Sequence, residues 1–225
     1  MPAAVLWDMD GTLVDTEPYW MASEFELAER HGGAWTRQHA LSIVGQDLLD
    51  AGRYIREHMG IRLMPEQIVE ELLDGVIARI AREVPWRPGA VELLARLQAA
   101  GVPCALVTMS YQRLVAPILD HLPAGSFQAV ITGDLLTHGK PHPEPYLTAA
   151  AALGTAPGDC VAIEDSTTGA TSAEAAGCTV LVVENHVRVA PGPRRIFRDT
   201  LAGMTLDDLR AVLAGDQARS PIADF

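Results

Sequence analysis

The sequence predicts an α/β protein whose core is a doubly wound parallel sheet that carries an all-helical insertion. Five short apolar runs recur along the 225 residues, and each run is continuous rather than alternating with polar residues. Continuous apolar runs indicate strands covered on both faces, as in a parallel sheet with helices on each side. After the first run, about seventy residues hold helical patterns without a convincing strand.

The predicted strands are each bounded by turn residues. They span residues 3–7, 103–107, 129–131, 160–163 and 179–183. Helical faces lie beside them, because apolar side chains recur three or four residues apart. The positions that mark four such faces are Leu93, Leu94, Leu97 and Ala100, then Leu114, Ile118 and Leu122, then Tyr146, Ala149, Ala150 and Leu153, and finally Leu206, Leu209, Val212 and Leu213. The last helix is predicted to begin at Thr205, where Asp208 completes a pattern similar to a capping box.

The chain is predicted to divide into a core, a helical insertion and a tail. The core comprises residues 1–15 and 88–214, the insertion residues 16–87, and a loose C-terminal tail residues 215–225. Within the insertion, apolar side chains between residues 68 and 80 form a stripe at helical spacing, which is typical of a helix that packs against neighbours.

Charge and hydropathy exclude several classes of function. Seventeen basic and twenty-nine acidic residues give a net charge of −12, so nucleic acid is not an expected partner. No apolar stretch approaches the roughly 20 residues that cross a bilayer, and the N-terminus has no secretory signal. The cysteines, Cys104, Cys160 and Cys178, lie in or beside apolar runs, as buried thiols do in a reducing compartment. We therefore expect a cytoplasmic protein without a membrane partner, and the patterns leave monomer and dimer equally open.

Polar side chains gather in the connections that follow the first four predicted strands. They are Asp8, Asp10, Thr108, Ser110, Lys140, Glu164 and Asp165, and Met109 lies between the two hydroxyl residues. Each short motif is common in ordinary loops, but the carboxyl ends of parallel strands meet at one edge of a sheet, which is where ligands bind in this fold class. Carboxylates and hydroxyls at one edge predict a site for Mg²⁺ and a phosphate group, with Asp8 and Asp165 as the carboxylates for the metal.

Lys140 is the one lysine among seventeen basic residues. Arginine supplies positive charge everywhere else, so this position is predicted to need an ammonium group specifically. An ammonium is a compact point charge on a flexible stem, which suits the neutralisation of phosphate beside several carboxylates.

Four strings resemble the motifs of the haloacid dehalogenase superfamily in order and spacing. They are WDMDGTLVDT at 7–16, VTMS at 107–110, GKPHPEPY at 139–146 and IEDSTTGA at 163–170. The insertion between the first two strings is similar to the helical cap found in the branch of beta-phosphoglucomutase and sugar-phosphate phosphatases. The resemblance covers nearly the whole chain, about residues 4–190.

For catalysis, the resemblance implies a nucleophile and an acid–base group. Asp8 would attack phosphorus to form an aspartyl-phosphate and would also hold the metal. Asp10 would protonate the leaving alkoxide and later accept a proton from water, with its backbone carbonyl on Mg²⁺. Asp165 would complete the set of metal ligands. Glu164 would either be a further ligand or lie next to the ligands without contacting the metal.

For binding, the resemblance implies a phosphate cradle and a closing cap. Thr108, the backbone N–H of Met109 and Ser110 would bind phosphoryl oxygens, and Lys140 would neutralise charge on phosphate and nucleophile. The residues of the insertion expected near the substrate are Thr16, Trp20, Gly45 and Gln46.

Among the reactions of the superfamily, hydrolysis of a phosphate monoester fits this sequence best. Asp10 argues against dehalogenation, which needs no leaving-group acid, and an insertion without lysine excludes Schiff-base phosphonate cleavage. A mutase needs a cation in the cap for a second phosphate, but Trp20 and Leu48 stand at the corresponding positions. Arg53 could replace that cation, which keeps a beta-phosphoglucomutase-like phosphomutase open as the alternative.

The predicted substrate is a small phosphorylated metabolite, with a sugar phosphate favoured. A protein that only binds a phosphorylated ligand is the weaker alternative, because such a protein would not need Asp8, Asp10 and Lys140 together. Two further features are predicted to have no role at the site. His138 and His142 are interpreted as a loop pair without a metal. The arginines at 188, 194, 195 and 198 are interpreted as a solvated basic loop.

Overall fold

A computed structural model describes residues 1–215 of the chain. Its sheet has six strands in the order β3-β2-β1-β4-β5-β6, and every neighbouring pair is parallel. The strands are β1 (Ala4–Trp7), β2 (Cys104–Val107), β3 (Ala129–Ile131), β4 (Cys160–Glu164), β5 (Thr179–Val182) and β6 (Arg195–Phe197). The parallel α/β fold predicted from the sequence is confirmed. Beyond Gly215, the predicted tail lies outside the described residues.

Within residues 1–215 nine α-helices accompany the sheet. They are α1 (Glu17–His31), α2 (Arg37–Ser42), α3 (Leu48–Met59), α4 (Pro65–Ile80), α5 (Ala90–Ala99), α6 (Gln112–Leu119), α7 (Glu144–Ala152), α8 (Thr167–Ala176) and α9 (Leu206–Leu213). The helix predicted at Thr205 has the expected capping box with Asp208. None of these helices is both long and apolar enough to span a membrane.

Alternate residues of the strands enter two different apolar clusters, as the pleat of a strand requires. Val5 and Trp7 of β1 face the cluster that includes α5, α6 and α9, whereas Ala4 and Leu6 face the cluster that includes α7 and α8. All four side chains are completely buried. Both faces of the sheet are therefore covered, which explains why the strands read as continuous apolar runs.

Helices α1–α4, called here the helical insertion, sit above the carboxyl end of β1. Helix α4 has two apolar faces: Leu73 and Val76 pack into the core cluster, and Ile68 and Leu72 pack into a separate cluster among the insertion helices. The apolar stripe predicted on this helix is confirmed. The exact boundaries of core and insertion, at residues 15–16 and 87–88, stay a prediction.

The sequence analysis missed β6 and interpreted its arginine, Arg195, as part of a solvated basic loop, which is wrong. Arg195 is only 7% exposed, and its guanidinium lies 2.7 Å from Glu174. The same side chain donates to the Ala190 carbonyl and the Thr171 hydroxyl. The sequence analysis missed this short edge strand because it includes a buried, paired arginine and has no continuous apolar run.

Candidate active site

The structure brings the polar residues after β1, β2 and β4 to one place, at the carboxyl edge of the sheet. Strand β1 lies in the middle of the strand order, so the loops after its neighbours β2 and β4 flank its own. The resulting cavity has a volume of about 330 Å³ and lies between the sheet edge and the helical insertion. Asp8, Asp10, Thr108, Met109, Ser110, Lys140 and Asp165 all line it.

The two carboxylate oxygens of Asp8 have different surroundings. Its Oδ1 accepts a hydrogen bond from Lys140 Nζ at 2.7 Å, whereas its Oδ2 is buried without a hydrogen-bond partner among residues 1–215. Burial, and then the negative charge of Glu164, raise the pKa of Asp8 to about 7 against the opposing effect of Lys140. An unpartnered buried carboxylate oxygen has a cost in stability, so it points to a group that binds there.

Lys140 is fixed by three acceptors. Its ammonium donates to Asp8 Oδ1 at 2.7 Å, to Glu164 Oε1 at 2.6 Å and to the Val107 carbonyl at 3.0 Å. Burial lowers the pKa of Lys140, but the charges of Asp8 and Glu164 more than offset it, and the pKa lies above its usual value. All three ammonium protons are used, so the lysine is a charged and immobile group.

Glu164 is enclosed by protein donors. Its Oε1 also accepts from the Tyr146 hydroxyl at 2.5 Å, and its Oε2 accepts from the Ser166 hydroxyl at 3.2 Å. The side chain is completely buried, and a Cβ at Gly169 would lie 1.9 Å from Oε1. Its carboxylate therefore packs between the start of α8 and Lys140.

Three hydroxyl groups hold the carboxylate of Asp10. Thr16 donates to Oδ1 at 2.5 Å, while Thr108 and Ser110 donate to Oδ2 at 3.1 and 2.7 Å. Thr108 also accepts from the backbone N–H of Ser110 at 2.9 Å, which fixes its rotamer. The three hydroxyls predicted to contact substrate thus contact Asp10 in this structure, and their direct role in phosphate binding stays a prediction.

An acidic cluster suits a small hard cation. Oxygens of Asp8, Glu164 and Asp165 lie within 4.8 Å of one another. Burial, and then the charges of Asp8 and Glu164, raise the pKa of Asp165 well above its usual value. Asp165 also packs against Gly11, where φ is +89° and a Cβ would lie 1.9 Å from Oδ2. Together with the unpartnered Oδ2 of Asp8, these carboxylates fit a divalent metal that prefers oxygen ligands.

A second set of potential metal donors lies on the exposed loop around Lys140. Donor atoms of His138, His142 and Glu144 are within 4.8 Å of one another, and His138 Nδ1 lies 2.8 Å from Glu144 Oε2. Glu144 also accepts from the backbone N–H groups of Thr137 and His138, so its main contacts stabilise the conformation of the loop. That this pair binds no metal stays a prediction.

The wall of the cavity formed by the helical insertion includes the predicted residues Thr16, Trp20, Gly45 and Gln46. Gln46 donates its side-chain amide to the Ser42 carbonyl at 2.8 Å. The structure adds two acidic side chains that the sequence analysis missed, Glu17 and Glu24.

Glu17, Trp20 and Glu24 are three and seven residues apart along α1. This spacing places them on one face of a helix. It was the sequence signal that could have identified the two carboxyls.

Arg53, which sequence analysis kept as a possible cation for a second phosphate, is not among the residues that line the cavity. Its guanidinium pairs with Asp50 one turn earlier on α3, and its side chain is 63% exposed. The basic residues that do line the cavity, among residues 1–215, are Lys140, His186 and Arg188, and all three lie outside the helical insertion.

Residues 5–183 match the sequence model of a family described as haloacid dehalogenase-like hydrolase. The chain belongs to this family. Hexitol phosphatase B of Escherichia coli (strain K12) is 30% identical over 217 residues, which cover 95% of each chain. Hexitol phosphatase A of the same strain is 33% identical over 188 residues, 79% of this chain and 81% of that one.

A solved structure of CbbY from Rhodobacter sphaeroides in complex with phosphate superposes with a TM-score of 0.77. The two sequences are 26% identical, and the match covers 90% of this chain and 96% of that one. With phosphatases among its relatives, this member of the hydrolase family is a phosphoric monoester hydrolase.

Proposed function

We propose that this hydrolase cleaves the phosphate monoester of a small metabolite, with a sugar phosphate as the favoured substrate, through an aspartyl-phosphate on Asp8 and with Mg²⁺ as cofactor. The observation that carries the proposal is Asp8 itself. Its carboxylate is buried at the base of the cavity, has one oxygen without a partner, and touches a fixed ammonium. Such a carboxylate can approach an anionic ester only where positive charge offsets the repulsion.

In the first step, a carboxylate oxygen of Asp8 forms a bond to phosphorus as the bond from phosphorus to the leaving-group oxygen breaks. The carboxyl group of Asp10 acts as the general acid and gives a proton to that oxygen, so the leaving group departs as an alcohol. The hydroxyls of Thr16, Thr108 and Ser110 hold the carboxyl of Asp10 in one position for this transfer.

In the second step, a water oxygen attacks phosphorus, and the Asp10 carboxylate takes one of its protons. The bond from phosphorus to Asp8 breaks, which releases inorganic phosphate and restores the Asp8 carboxylate. The products of the whole reaction are an alcohol and phosphate, and Asp10 regains in the second step the proton that it gives in the first.

Lys140 stabilises the charge that the phosphoryl oxygens and Asp8 share in both steps. We assign Glu164 to the positioning of Lys140 rather than to the metal, because both of its oxygens already accept hydrogen bonds from protein groups. Asp8, Asp165 and the backbone carbonyl of Asp10 would hold Mg²⁺, which supplies positive charge next to the ester and polarises its oxygens.

Water is favoured over a second sugar as the phosphate acceptor. A mutase must hold one phosphate in the cap while it transfers the other, which requires a cation on that side of the cavity. Arg53 does not line the cavity and forms an exposed ion pair with Asp50, and the wall positions expected to hold the cation are Trp20 and Leu48. These observations support a phosphatase.

The test is a panel of phosphate esters assayed for phosphate release with and without Mg²⁺. We expect release that depends on Mg²⁺, no isomerisation of glucose 1-phosphate, and no turnover by Asp8→Asn, with the fold of that variant checked by circular dichroism. Full activity in Asp8→Asn contradicts the nucleophile. Isomerisation in place of phosphate release supports the mutase instead.

A further inference from the structure

The wall that faces the leaving group carries two carboxyl groups and no basic side chain. Of the residues of α1–α4 that line the cavity, most are apolar, and the ionisable ones are Glu17 and Glu24. The basic residues elsewhere in the lining are already paired: His186 lies 2.8 Å from Asp15, and Arg188, 94% exposed, lies 2.6 Å from Glu184. A leaving group that contacts α1–α4 therefore meets carboxyl groups and apolar side chains.

Glu24 is the more enclosed of the two carboxyls. It is 3% exposed, and its Oε2 accepts a hydrogen bond from the indole N–H of Trp35 at 2.8 Å. Trp35 lies in the loop between α1 and α2 and is itself buried, so it fixes the rotamer of the glutamate. The other oxygen, Oε1, has no donor among residues 1–215 and is not sealed within the protein. Since Glu24 lines the cavity, this oxygen is an acceptor open to a ligand.

Chemistry then limits which leaving groups fit. A hydroxyl group can donate a hydrogen bond to a fixed carboxyl oxygen, and an uncharged chain packs against the apolar residues around it. A carboxylate or a second phosphate is an anion that offers mainly acceptors, and it finds no basic side chain on this wall. Selection by repulsion of the wrong ligand is a general source of specificity.

We propose that this wall selects phosphate esters of uncharged polyhydroxy compounds, and that Glu24, held by Trp35, is the specificity residue that accepts their hydroxyl groups and rejects a second anion. The inference rests on the proposed function and narrows its substrate class. It separates this chain from hydrolases and mutases whose substrates carry a carboxylate or two phosphates.

The experiment compares two esters with the same six-carbon chain, glucitol 6-phosphate and gluconate 6-phosphate. They differ at carbon 1, which bears a hydroxyl in the first and a carboxylate in the second. We expect the wild type to favour the glucitol ester in kcat/KM by about 100-fold, and Glu24→Gln to reduce that preference at least about tenfold, mainly through KM. Because both esters carry the same reacting phosphate, the ratio of their kcat/KM values measures the selectivity that the wall contributes.

Glu29→Gln is the matched control, because it removes the same charge from an exposed position on the same helix. Its preference for the glucitol ester should equal that of the wild type. Trp35→Phe keeps a ring but removes the indole donor, and it should lower the preference in the same direction as Glu24→Gln. It also tests the proposal if Glu24→Gln does not fold.

Two results overturn the inference: a wild type that hydrolyses both esters equally well, or a folded Glu24→Gln that keeps the full preference. Calorimetric binding of the two esters to Asp8→Asn gives a second, turnover-independent measure of the same selectivity. If neither ester releases phosphate but the glucitol ester still binds more tightly, the proposed function fails and the inference stands. If both release phosphate without preference, the inference alone fails.

Discussion

Glu164 Oε1 lies 2.6 Å from Lys140 Nζ, and the two side chains are 0% and 4% exposed. The pair is completed by Tyr146, whose hydroxyl donates to the same glutamate oxygen at 2.5 Å. A buried ion pair of this kind contributes little net stability, because desolvation offsets the attraction. Its value here is geometric, since it holds the ammonium of Lys140 against the nucleophile Asp8.

We predict different effects for the two acidic residues at the end of β4. Glu164→Gln should lower kcat by about 10- to 100-fold, because the amide weakens the charged contact that fixes the ammonium, while the Mg²⁺ concentration for half-maximal activity changes little. Asp165→Asn removes an oxygen of the acidic cluster and should raise that Mg²⁺ concentration by about tenfold or more.

Titration of activity with Mg²⁺ for the two variants measures this difference. The two variants serve as controls for each other, because the residues are adjacent and each change replaces a carboxyl group with an amide. A large rise in the Mg²⁺ requirement of Glu164→Gln would mean that Glu164 is a metal ligand, and our assignment would be wrong.

Lys140→Arg should not preserve activity, although it keeps the charge. Three acceptors surround Nζ at 2.6 to 3.0 Å, and a planar guanidinium can neither fit that space nor satisfy all three. We expect kcat to fall by about 10²- to 10³-fold. The exposed Arg210→Lys makes the reverse exchange on α9 and serves as the control, with activity close to that of the wild type. Near-normal kcat in Lys140→Arg would contradict the requirement for an ammonium.

Asp10→Asn should slow hydrolysis of an alkyl phosphate by about 10²- to 10⁴-fold, the range for a lost acid–base group. The loss should be smaller for an aryl phosphate, because a phenolate leaves without a proton. Steady-state kinetics with one ester of each kind measures the difference. Asn keeps the side-chain size and can still accept from Thr16, which limits structural side effects. An equal loss for both esters would remove Asp10 from leaving-group protonation.

The sequence was informative wherever a strand ended in chemically distinctive residues. Asp8, Thr108 and Asp165 could be placed at one edge because parallel strands end together, and the solitary lysine marked a position that arginine had not replaced. In the structure these residues line one cavity. Their catalytic roles follow from chemistry and stay proposals.

Other features depend on contacts that spacing along the chain does not show. The hydroxyls of Thr16 and Ser110 are ninety-four residues apart, and only the packed structure shows that both donate to Asp10. Arg195 reads as a surface residue until its partner Glu174 on α8 is known. The proposed specificity residue Glu24 is a similar case. Its role depends on the cavity that its helix face lines, and spacing along the chain does not show that cavity.

Glu24 also predicts a pH effect on stability. Burial raises its pKa from 4.5 to about 7 in the folded protein, with the Trp35 hydrogen bond opposing that shift. The unfolded chain therefore releases this proton at lower pH than the folded one, and stability falls as pH rises from about 4.5 to 7. At about 1.4 kcal/mol per pKa unit, the loss amounts to roughly 3.5 kcal/mol at most.

Glu24→Gln removes this titration and keeps an acceptor for Trp35, so its free energy of unfolding should decrease less between pH 5 and pH 8 than that of the wild type. Glu17 shows the same direction of shift, to about 8, for which burial and then the charge of Glu24 are the main causes, and it remains in both proteins together with Asp8 and Asp165. Urea denaturation at both pH values measures the difference, with Glu29→Gln as the exposed control. Parallel losses of stability in wild type and Glu24→Gln would show that Glu24 ionises as readily folded as unfolded, because only a pKa that differs between the two states contributes to the slope.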